Sequence, residues 1–259
     1  MSVILETRGI AKHFGAVVAA NDITVTIEAQ SIVGLIGSNG AGKTTFVNMV
    51  TGYLKPSAGS IHFAGRDITR LAPREITRLG VARSFQIPQL YDSLSVADNL
   101  EVALGIVRRN ARRAPLARLP ALVPGYGLPA AEVMAQLLER FRLEPYRGQP
   151  GRTLPQGVRK QLDIALALTG KPKVLLLDEP TSGVAAEEKF AIMDMIMAAV
   201  RAERVTALFV EHDMDIVSRY AERVLAFYDG RIIADASAET VLADPEVQRY
   251  VIGSRPPHA

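Results

Sequence analysis

The stretch SIVGLIGSNGAGKTTFVNMV, residues 31 to 50, carries the strongest indication of the fold of this chain. Its first half is an apolar run that predicts a buried strand, and its last residues predict a helix. Between them, residues 37–44 satisfy the pattern G-x-x-x-x-G-K-[ST], and a strand before it and a helix after it are the context that this pattern requires. The candidate nucleotide-binding residues are Gly37, Ser38, Asn39, Gly40, Ala41, Gly42, Lys43, Thr44 and Thr45.

The residue types of this loop explain what it can bind. Glycines let successive backbone N–H groups converge on phosphate oxygens, and the following helix adds the positive end of its dipole. In such loops the lysine, here Lys43, is expected to reach the β- and γ-phosphates, and the hydroxyl of Thr44 is expected to ligate Mg²⁺. The loop therefore predicts a site for a nucleotide and its magnesium ion.

The overall composition narrows the classes of function. The chain has 259 residues and no cysteine, which excludes disulfides, thiolate chemistry and cysteine–zinc sites. The formal net charge of +3 is too small to imply nucleic acid by itself. Glu6 and Arg8 interrupt the apolar core that a signal peptide would need, and no apolar run approaches the ~20 residues that cross a bilayer. Any function at a membrane is expected to go through a partner.

The order of apolar runs and helical patterns predicts an α/β fold. The runs KVLLLDE and VTALFVEHD read as buried strands with a helix between them, which is typical of a mostly parallel sheet with ligands at strand ends. The first sixty residues read as short strands. A helical insertion over about 90–165 is predicted to start with Ser95 and Asp98 as a capping box. We expect one domain over 1–256, with a core of about 1–89 and 166–253.

The insertion contains a segment, about 108–130, that reads as an irregular basic loop. Four prolines interrupt any helical pattern there, and no acidic residue occurs between Glu101 and Glu132. The segment is either a solvated loop or a surface that faces lipid headgroups or an acidic partner. Its arginines are Arg108, Arg109, Arg112, Arg113 and Arg118.

Four polar residues at the ends of three predicted strands indicate which phosphate-loop enzyme this is. In VLLLDEP, Asp178 suits a magnesium contact through water, and Glu179 suits a base that polarises the attacking water. Gln86, in RSFQIP, can touch magnesium and water, and His212, in LFVEHDMD, can contact a γ-phosphate. Taken alone, the glutamine is more simply interpreted as a solvated loop residue and the histidine as a structural residue. The guanine-reading string N-K-x-D does not occur, which argues against a GTPase.

With RTLPQGVRKQLDIALAL at 152–168 added to these motifs, the chain resembles the ATP-binding subunits of ABC transporters over about residues 3 to 253. The resemblance implies a P-loop NTPase domain with a mostly parallel core sheet, an antiparallel β subdomain and an inserted helical subdomain. It implies ATP hydrolysis with Mg²⁺. It also implies that Phe14, in KHFGAV, stacks on adenine, although Phe14 alone reads equally well as an edge-strand aromatic.

The signature segment departs from the family pattern L-S-G-G-Q, which in the family caps the γ-phosphate bound by the other subunit of a dimer. The serine hydroxyl is missing, and the D-loop acid or amide is replaced by Ala185. Both departures concern what this chain offers to its partner, so two unequal sites are expected with a related subunit that has a full signature. The residues at the signature positions are Leu154, Pro155, Gln156, Gly157 and Val158.

Several strings, including GYLKPSAGSI and ARSFQIPQLYDSLSVADNLEVAL, most resemble ATPases of importers for branched-chain or other hydrophobic amino acids. Relatives of that group also serve urea, amides and aromatic acids. The resemblance implies a second ATPase subunit (the same or a related chain), two membrane permeases, a periplasmic or extracellular solute-binding protein, and a place at the cytoplasmic face of a bacterial inner membrane. The side chains expected to face a permease, or else to pack within the insertion, are Ile87, Leu90, Tyr91 and Leu94.

Two rival functions stay open at this point. An ABC ATPase acting on ribosomes or DNA usually carries two cassettes or a long coiled-coil insertion, and this chain has neither, so no nucleic acid is expected as a partner. The altered signature and Ala185 keep open the second alternative, a weakly hydrolysing regulatory subunit. Glu179 and His212 argue against that second reading.

Overall fold

Two β-sheets form the frame of the protein in a computed structural model, which describes residues 2–110 and 122–253. The strands, in chain order, are β1 Val3–Phe14, β2 Val17–Glu28, β3 Ile32–Gly37, β4 Ala58–Phe63, β5 Arg66–Asp67, β6 Val81–Ser84, β7 Leu122–Val123, β8 Leu128–Pro129, β9 Val174–Asp178, β10 Thr206–Val210, β11 Arg223–Tyr228 and β12 Arg231–Ala236. The helices are α1 Lys43–Val50, α2 Pro73–Leu79, α3 Val96–Asn110, α4 Ala130–Arg140, α5 Gln156–Leu168, α6 Ala186–Ala202, α7 Met214–Tyr220, α8 Ala238–Ala243 and α9 Pro245–Val247.

The central sheet has the strand order β12-β11-β3-β10-β9-β6. Every neighbouring pair is parallel except β11 with β12, so the expectation of a mostly parallel core sheet is confirmed. Strands β3, β9 and β10 are buried at every position, as their continuous apolar runs require when helices cover both faces. Because these strands run the same way, Gly37, Asp178 and Val210 end at one edge of the sheet.

The second sheet is antiparallel, with the order β2-β1-β4-β5. The expectation of short strands at the start of the chain is wrong, since β1 and β2 are 12 residues each. Their pairing contains register shifts, two of them between Thr7 and Lys12. A bulge of this kind moves the apolar side chains out of simple alternation, which makes the full length of a strand harder to predict from its sequence.

The helical region between β6 and β9 packs on the central sheet through one apolar core. Leu100 of α3, Leu137 of α4 and Leu162 of α5 are all buried in this core. The predicted start of α3 is confirmed, because Ser95 and Asp98 form the two reciprocal hydrogen bonds of a capping box.

Replacing Ser95 with alanine should lower the free energy of unfolding by about 1 kcal/mol, because the side-chain oxygen that accepts from the backbone N–H of Asp98 is lost. Urea unfolding followed by circular dichroism measures the change. The control is Ser93→Ala, an exposed serine two residues earlier, which should stay within about 0.5 kcal/mol of the parent. Equal effects of the two changes would contradict the capping role.

The basic segment 108–130 is not wholly irregular, which corrects the sequence prediction. Arg108 and Arg109 continue helix α3, and β7 pairs with β8 as a small hairpin whose Val123 is buried in the core. Residues 111–121, which contain Arg112, Arg113 and Arg118, lie outside the described residues. Helix α5 runs without a break across position 165/166, so the division into core and insertion stays a prediction.

Within residues 2–110 and 122–253, no helix combines the length and the apolar character that crossing a bilayer requires.

Candidate functional site

The phosphate loop connects the end of β3 to the start of α1, at the edge where the parallel strands end. Two of its positions accept only glycine. A Cβ on Gly42, whose φ is 103°, would lie 2.9 Å from the carbonyl oxygen of Ala19, and one on Gly37 would lie 2.6 Å from that of Phe227. The backbone of the loop is therefore held between the β1–β2 hairpin and strand β11.

Lys43 lies folded over this loop and is only 6% exposed. Its Nζ donates to the carbonyl oxygens of Gly37, at 2.5 Å, and Ser38, at 3.0 Å. Burial lowers the pKa of Lys43, and the negative charges of Glu179 and Asp178 oppose that shift. A polyphosphate bound in the loop would also stabilise the charged ammonium of Lys43, because it carries more negative charge than these two carboxylates.

A cavity of about 190 Å³ opens above the loop, lined by residues 39–45 together with Glu179, Val210 and His212. The first N–H groups of helix α1 point into this region, because the first turn of any α-helix leaves them without an intrahelical acceptor. The helix dipole adds positive potential at the same end. The cavity therefore offers backbone donors and a lysine to an anion of phosphate type.

Glu179 contacts the two other candidate catalytic side chains at the strand ends, Gln86 and His212. Its Oε2 accepts from Nε2 of Gln86 at 2.8 Å, and its Oε1 lies 3.0 Å from Nε2 of His212. The backbone of Glu179 is left-handed, with φ of 47°, and its N–H donates to the carbonyl of Val210 at 3.0 Å. Such a conformation costs about 1–3 kcal/mol and persists where its surroundings enforce it. The structure thus brings together side chains that are 33 and 93 residues apart.

Asp178 has a partner that the sequence did not reveal. Arg83, on the neighbouring strand β6, places one guanidinium nitrogen 2.6 Å from Oδ2 of Asp178 and the other 2.6 Å from Oδ1 of Asn48 on α1. Both charged side chains are nearly buried, at 9% and 6% exposure. The guanidinium also stacks on Phe85, 4.8 Å from the ring centre. Arg83 therefore fixes the carboxylate of Asp178 relative to the phosphate-loop helix.

The polar side chains at this edge fit a magnesium ion that arrives with a nucleotide. Thr44, Asp178 and Gln86 supply hydroxyl, carboxylate and amide oxygens, the hard ligands that Mg²⁺ prefers. Among the described residues, no group of three or more histidines and acids could hold a metal alone. That composition suits Mg²⁺, which usually takes one or two protein carboxylates, several waters and the phosphates themselves.

Glu211 is a second residue that sequence reasoning missed. Its Oε1 accepts from the N–H and the hydroxyl of Thr181 at 3.0 and 2.7 Å, and its Oε2 accepts from the N–H of His212 at 3.2 Å. Burial raises the pKa of Glu211, while these donors lower it. It ties the segment after β9 to the segment after β10. The only sequence signal for it is an acidic residue beside the histidine.

Phe14 lies away from the cavity lining. It ends strand β1, is 53% exposed, and has the ammonium of Lys12 at 5.1 Å from its ring centre. The same hairpin touches the phosphate loop through Ala19. The structure therefore places Phe14 on the element that borders the loop, with its ring accessible.

Only part of the signature segment is exposed to solvent. Leu154 and Val158 are buried in the core, whereas Pro155 and Gln156 are exposed. Helix α5 begins at Gln156 with Pro155 as its N-cap, so the first turn of the helix is intact. Ala185, at the N-cap of α6, provides no side-chain cap.

A family model described as "ABC transporter" matches residues 20–182, which is more than half of the chain. The chain belongs to the ABC transporter family. Membership makes it an ATP-binding ATPase, and the expected ABC nucleotide-binding fold is confirmed by solved structures. One such structure, an ATP-binding cassette of an ABC transporter in its ADP conformation, is 31% identical with a TM-score of 0.79, over 96% of this chain and 98% of that one. A nucleotide-free cassette is 30% identical, also with a TM-score of 0.79, over 95% and 97% of the two chains.

Relatives within the ABC family have named transport roles. The high-affinity branched-chain amino acid transport ATP-binding protein BraF of Pseudomonas aeruginosa is 32% identical, over 96% of this chain and 98% of its own length. The probable branched-chain amino acid transport ATP-binding protein LivG of Archaeoglobus fulgidus is also 32% identical, over 97% and 96%. LivG of Escherichia coli is 31% identical, over 96% and 98%.

Proposed function

We propose that this ABC ATPase powers a bacterial importer of branched-chain or other hydrophobic amino acids. The single observation that supports the ATPase chemistry best is the contact of Glu179 with both Gln86 and His212 beside the phosphate loop. The cargo is supported by the names of the relatives, whose matched regions cover nearly the whole chain. Importers of urea, amides or aromatic acids are the alternative for the cargo.

In this proposal each residue at the strand edge has a distinct role. The phosphate loop, with Lys43, holds the β- and γ-phosphates, and Phe14 stacks on the adenine. Glu179 accepts a proton from the attacking water and is oriented by Gln86, while His212 contacts the γ-phosphate. Such a positioned base contributes about 10²- to 10⁴-fold to the rate.

Magnesium, when bound with ATP, neutralises phosphate charge during the reaction. Thr44 and Gln86 would hold it, with Asp178 acting through water. Arg83 occupies Oδ2 of Asp178, which leaves Oδ1 for a water in the coordination shell. The arginine thereby keeps the orientation of that carboxylate constant.

A second ATPase subunit, the same chain or a related one, is proposed to complete each nucleotide site. The exposed Pro155 and Gln156, with the half-buried Gly157, would face the γ-phosphate on the partner through the first turn of α5. Because Pro155 lacks the hydroxyl of the family pattern, the site that uses this chain's signature is expected to be the weaker of the two.

Permease binding is supported by an apolar groove of about 570 Å³ between the sheet and the helical region. Its lining includes Tyr53 and Phe85, which pack edge to face with ring centres 5.9 Å apart, and Ile106 of α3. Gln86 follows directly after Phe85, so a permease helix seated there would touch the segment that carries a candidate catalytic group. Of the predicted strip, Ile87 and Tyr91 are exposed and the two leucines are partly buried.

We place the chain at the cytoplasmic face of the inner membrane, as a peripheral subunit on two permeases. A solute-binding protein outside the membrane would deliver the cargo to those permeases and would not contact this chain. This placement is inferred from the transporter names of the relatives.

The proposal is tested first by Lys43→Ala. We expect the affinity for Mg-ATP to fall by about 10- to 100-fold, because the variant loses the buried cation that faces the phosphates. Equilibrium dialysis with labelled ATP measures the affinity, and circular dichroism verifies the fold. An unchanged affinity would remove the basis of the assignment.

The same variant tests the identity of the cargo in cells whose uptake of that cargo requires this gene. Uptake of labelled leucine should be lost with Lys43→Ala and restored by the parent chain. Uptake of labelled urea serves as the comparison. Loss of urea uptake with unchanged leucine uptake would favour the alternative cargo.

A further inference from the structure

Lys160, in the middle of helix α5, is a charged residue with 0% exposure. A lysine is almost never fully buried unless it is paired. Its Nζ donates to three backbone carbonyls, those of Phe85 at 3.2 Å, Gln86 at 2.6 Å and Glu179 at 3.1 Å. Three acceptors use all three N–H donors of an ammonium group, so the contacts require the protonated form. Burial lowers the pKa of Lys160, and nearby carboxylates oppose the shift.

Asp163, three residues later on the same face of α5, makes a second connection to the segment around Gln86. Its Oδ2 accepts from the hydroxyl of Ser84 at 2.6 Å and from the N–H of Phe85 at 3.1 Å. Its Oδ1 accepts from the N–H of Gln89 at 3.1 Å. Helix α5 therefore holds the backbone on both sides of Gln86.

The contact of Lys160 with Glu179, unlike its other contacts, holds a residue whose backbone is left-handed. Glu179 has the left-handed φ of 47°, and in that backbone conformation its carboxylate contacts Gln86 and His212. The N–H of Glu179 donates to the carbonyl of Val210, and the carbonyl of Glu179 accepts from Lys160. The ammonium thus helps to enforce a backbone conformation that is unfavourable by itself.

Lys160 lies close along helix α5 to the signature residues at the start of that helix. It lies three residues after Gly157, which is about 4.5 Å along an α-helix. On the function proposed above, the first turn of α5 contacts the nucleotide held by the partner. Lys160 contacts the groups that surround this chain's own nucleotide, so less than one and a half turns of a single helix separate the two sites.

We infer that Lys160 is a positioning residue that connects the two nucleotide sites of the dimer. It fixes Gln86 and Glu179 to helix α5, so a displacement of the first turn of α5 moves both groups together. This inference rests on the proposed function. It adds that occupancy of one site changes the geometry of the other through a buried ammonium and three carbonyls.

The first measurement is hydrogen exchange of the full-length chain without nucleotide. Lys160→Met has a similar length but no N–H donors, and we expect exchange to be about 10-fold faster in peptides covering 84–89 and 179–182. Strands β3 and β10 should be unchanged. The matched control, Lys173→Met, removes an exposed lysine that precedes β9 and should change neither peptide.

The second measurement adds saturating Mg-ATP at a protein concentration at which light scattering shows the chain to be monomeric, so that no partner's nucleotide contacts residues 156–159. In the parent chain, exchange should slow in both of these peptides and also in residues 156–159. In Lys160→Met the phosphate loop should still be protected, with the Kd for ATP within about 2-fold of the parent, while the response at 156–159 is lost. A purely structural role for Lys160 would leave that response in place.

If Lys160→Met does not fold, the response of the parent at 156–159 to ATP still tests the inference, and Asp163→Asn is the control that loosens one segment alone. Because Asp163 contacts only the first segment, this variant should speed exchange at 84–89 and leave 179–182 unchanged. The inference is overturned if Lys160→Met exchanges like the parent, if residues 156–159 respond to ATP equally in both, or if the parent shows no response there. Failure of the parent to bind ATP would instead overturn the proposed function, and the nucleotide-free comparison would still decide the role of Lys160.

Discussion

Replacing Glu179 with glutamine is expected to lower ATP turnover by about 10²- to 10⁴-fold. Glutamine has the same shape and can still accept from Gln86, but its amide group cannot take a proton from water. The phosphate loop is untouched, so the affinity for Mg-ATP should stay within about 2-fold of the parent. Phosphate release under multiple turnover measures the rate, and dialysis with labelled ATP measures the affinity.

The control for this variant is Glu187→Gln, which changes an exposed glutamate in the first turn of α6. It should turn over ATP at the parent rate. Where the chain is paired with a related subunit that has a full signature, Glu179→Gln should cost more activity than the equivalent change in the partner. Equal losses would contradict the expected inequality of the two sites.

Replacing Arg83 with methionine should lower the free energy of unfolding by about 3–5 kcal/mol. The variant leaves the carboxylate of Asp178, only 6% exposed, without the guanidinium that lies 2.6 Å away. It also breaks the contact with Asn48 on the phosphate-loop helix. Denaturant unfolding without nucleotide, in the presence of EDTA, measures the change.

Two variants show whether the buried pair causes the loss of stability. Arg147→Met removes a pair with Glu144 in which both side chains are more than half exposed, and it should cost less than about 1 kcal/mol. Adding Asp178→Asn to Arg83→Met removes the unpaired charge and should recover part of the stability. A double variant no more stable than Arg83→Met would mean that packing, and not charge, explains the loss.

In the signature segment, a difference from the family pattern at one position does not change the exposed surface. Position 158 carries valine where the family has glutamine, and by sequence this counts as a lost polar group on the partner-facing surface. In the structure Val158 is 8% exposed and packs in the core. The surface difference is therefore concentrated at Pro155 and Gln156, which start the helix.

The features that sequence predicted well are local. The phosphate loop is a contiguous motif, and the cap at Ser95 depends on a residue three positions away. The buried strands β9 and β10 were predicted directly from short runs of mostly apolar residues. In each case the interacting groups are close in sequence, so their order along the chain is enough.

The features that sequence missed depend on which strands are neighbours. Arg83 meets Asp178 because β6 lies beside β9, although the two residues are 95 positions apart. Lys160 reaches Glu179 and Gln86 because helix α5 packs beneath both strand ends. A charged residue within an amphipathic helix gives no sign of such contacts, since the usual interpretation places it in solvent.

The sequence alone was enough to predict a phosphate-binding loop, an α/β fold and an acid pair at the end of a buried strand. Short-range geometry is sufficient for all three, because backbone conformation and burial periodicity are properties of neighbouring residues. Which charges are buried together, and how Glu179 is oriented, became apparent from the three-dimensional packing. Those outcomes depend on strand order and helix packing, which bring distant residues within hydrogen-bond distance in an interior of low polarity.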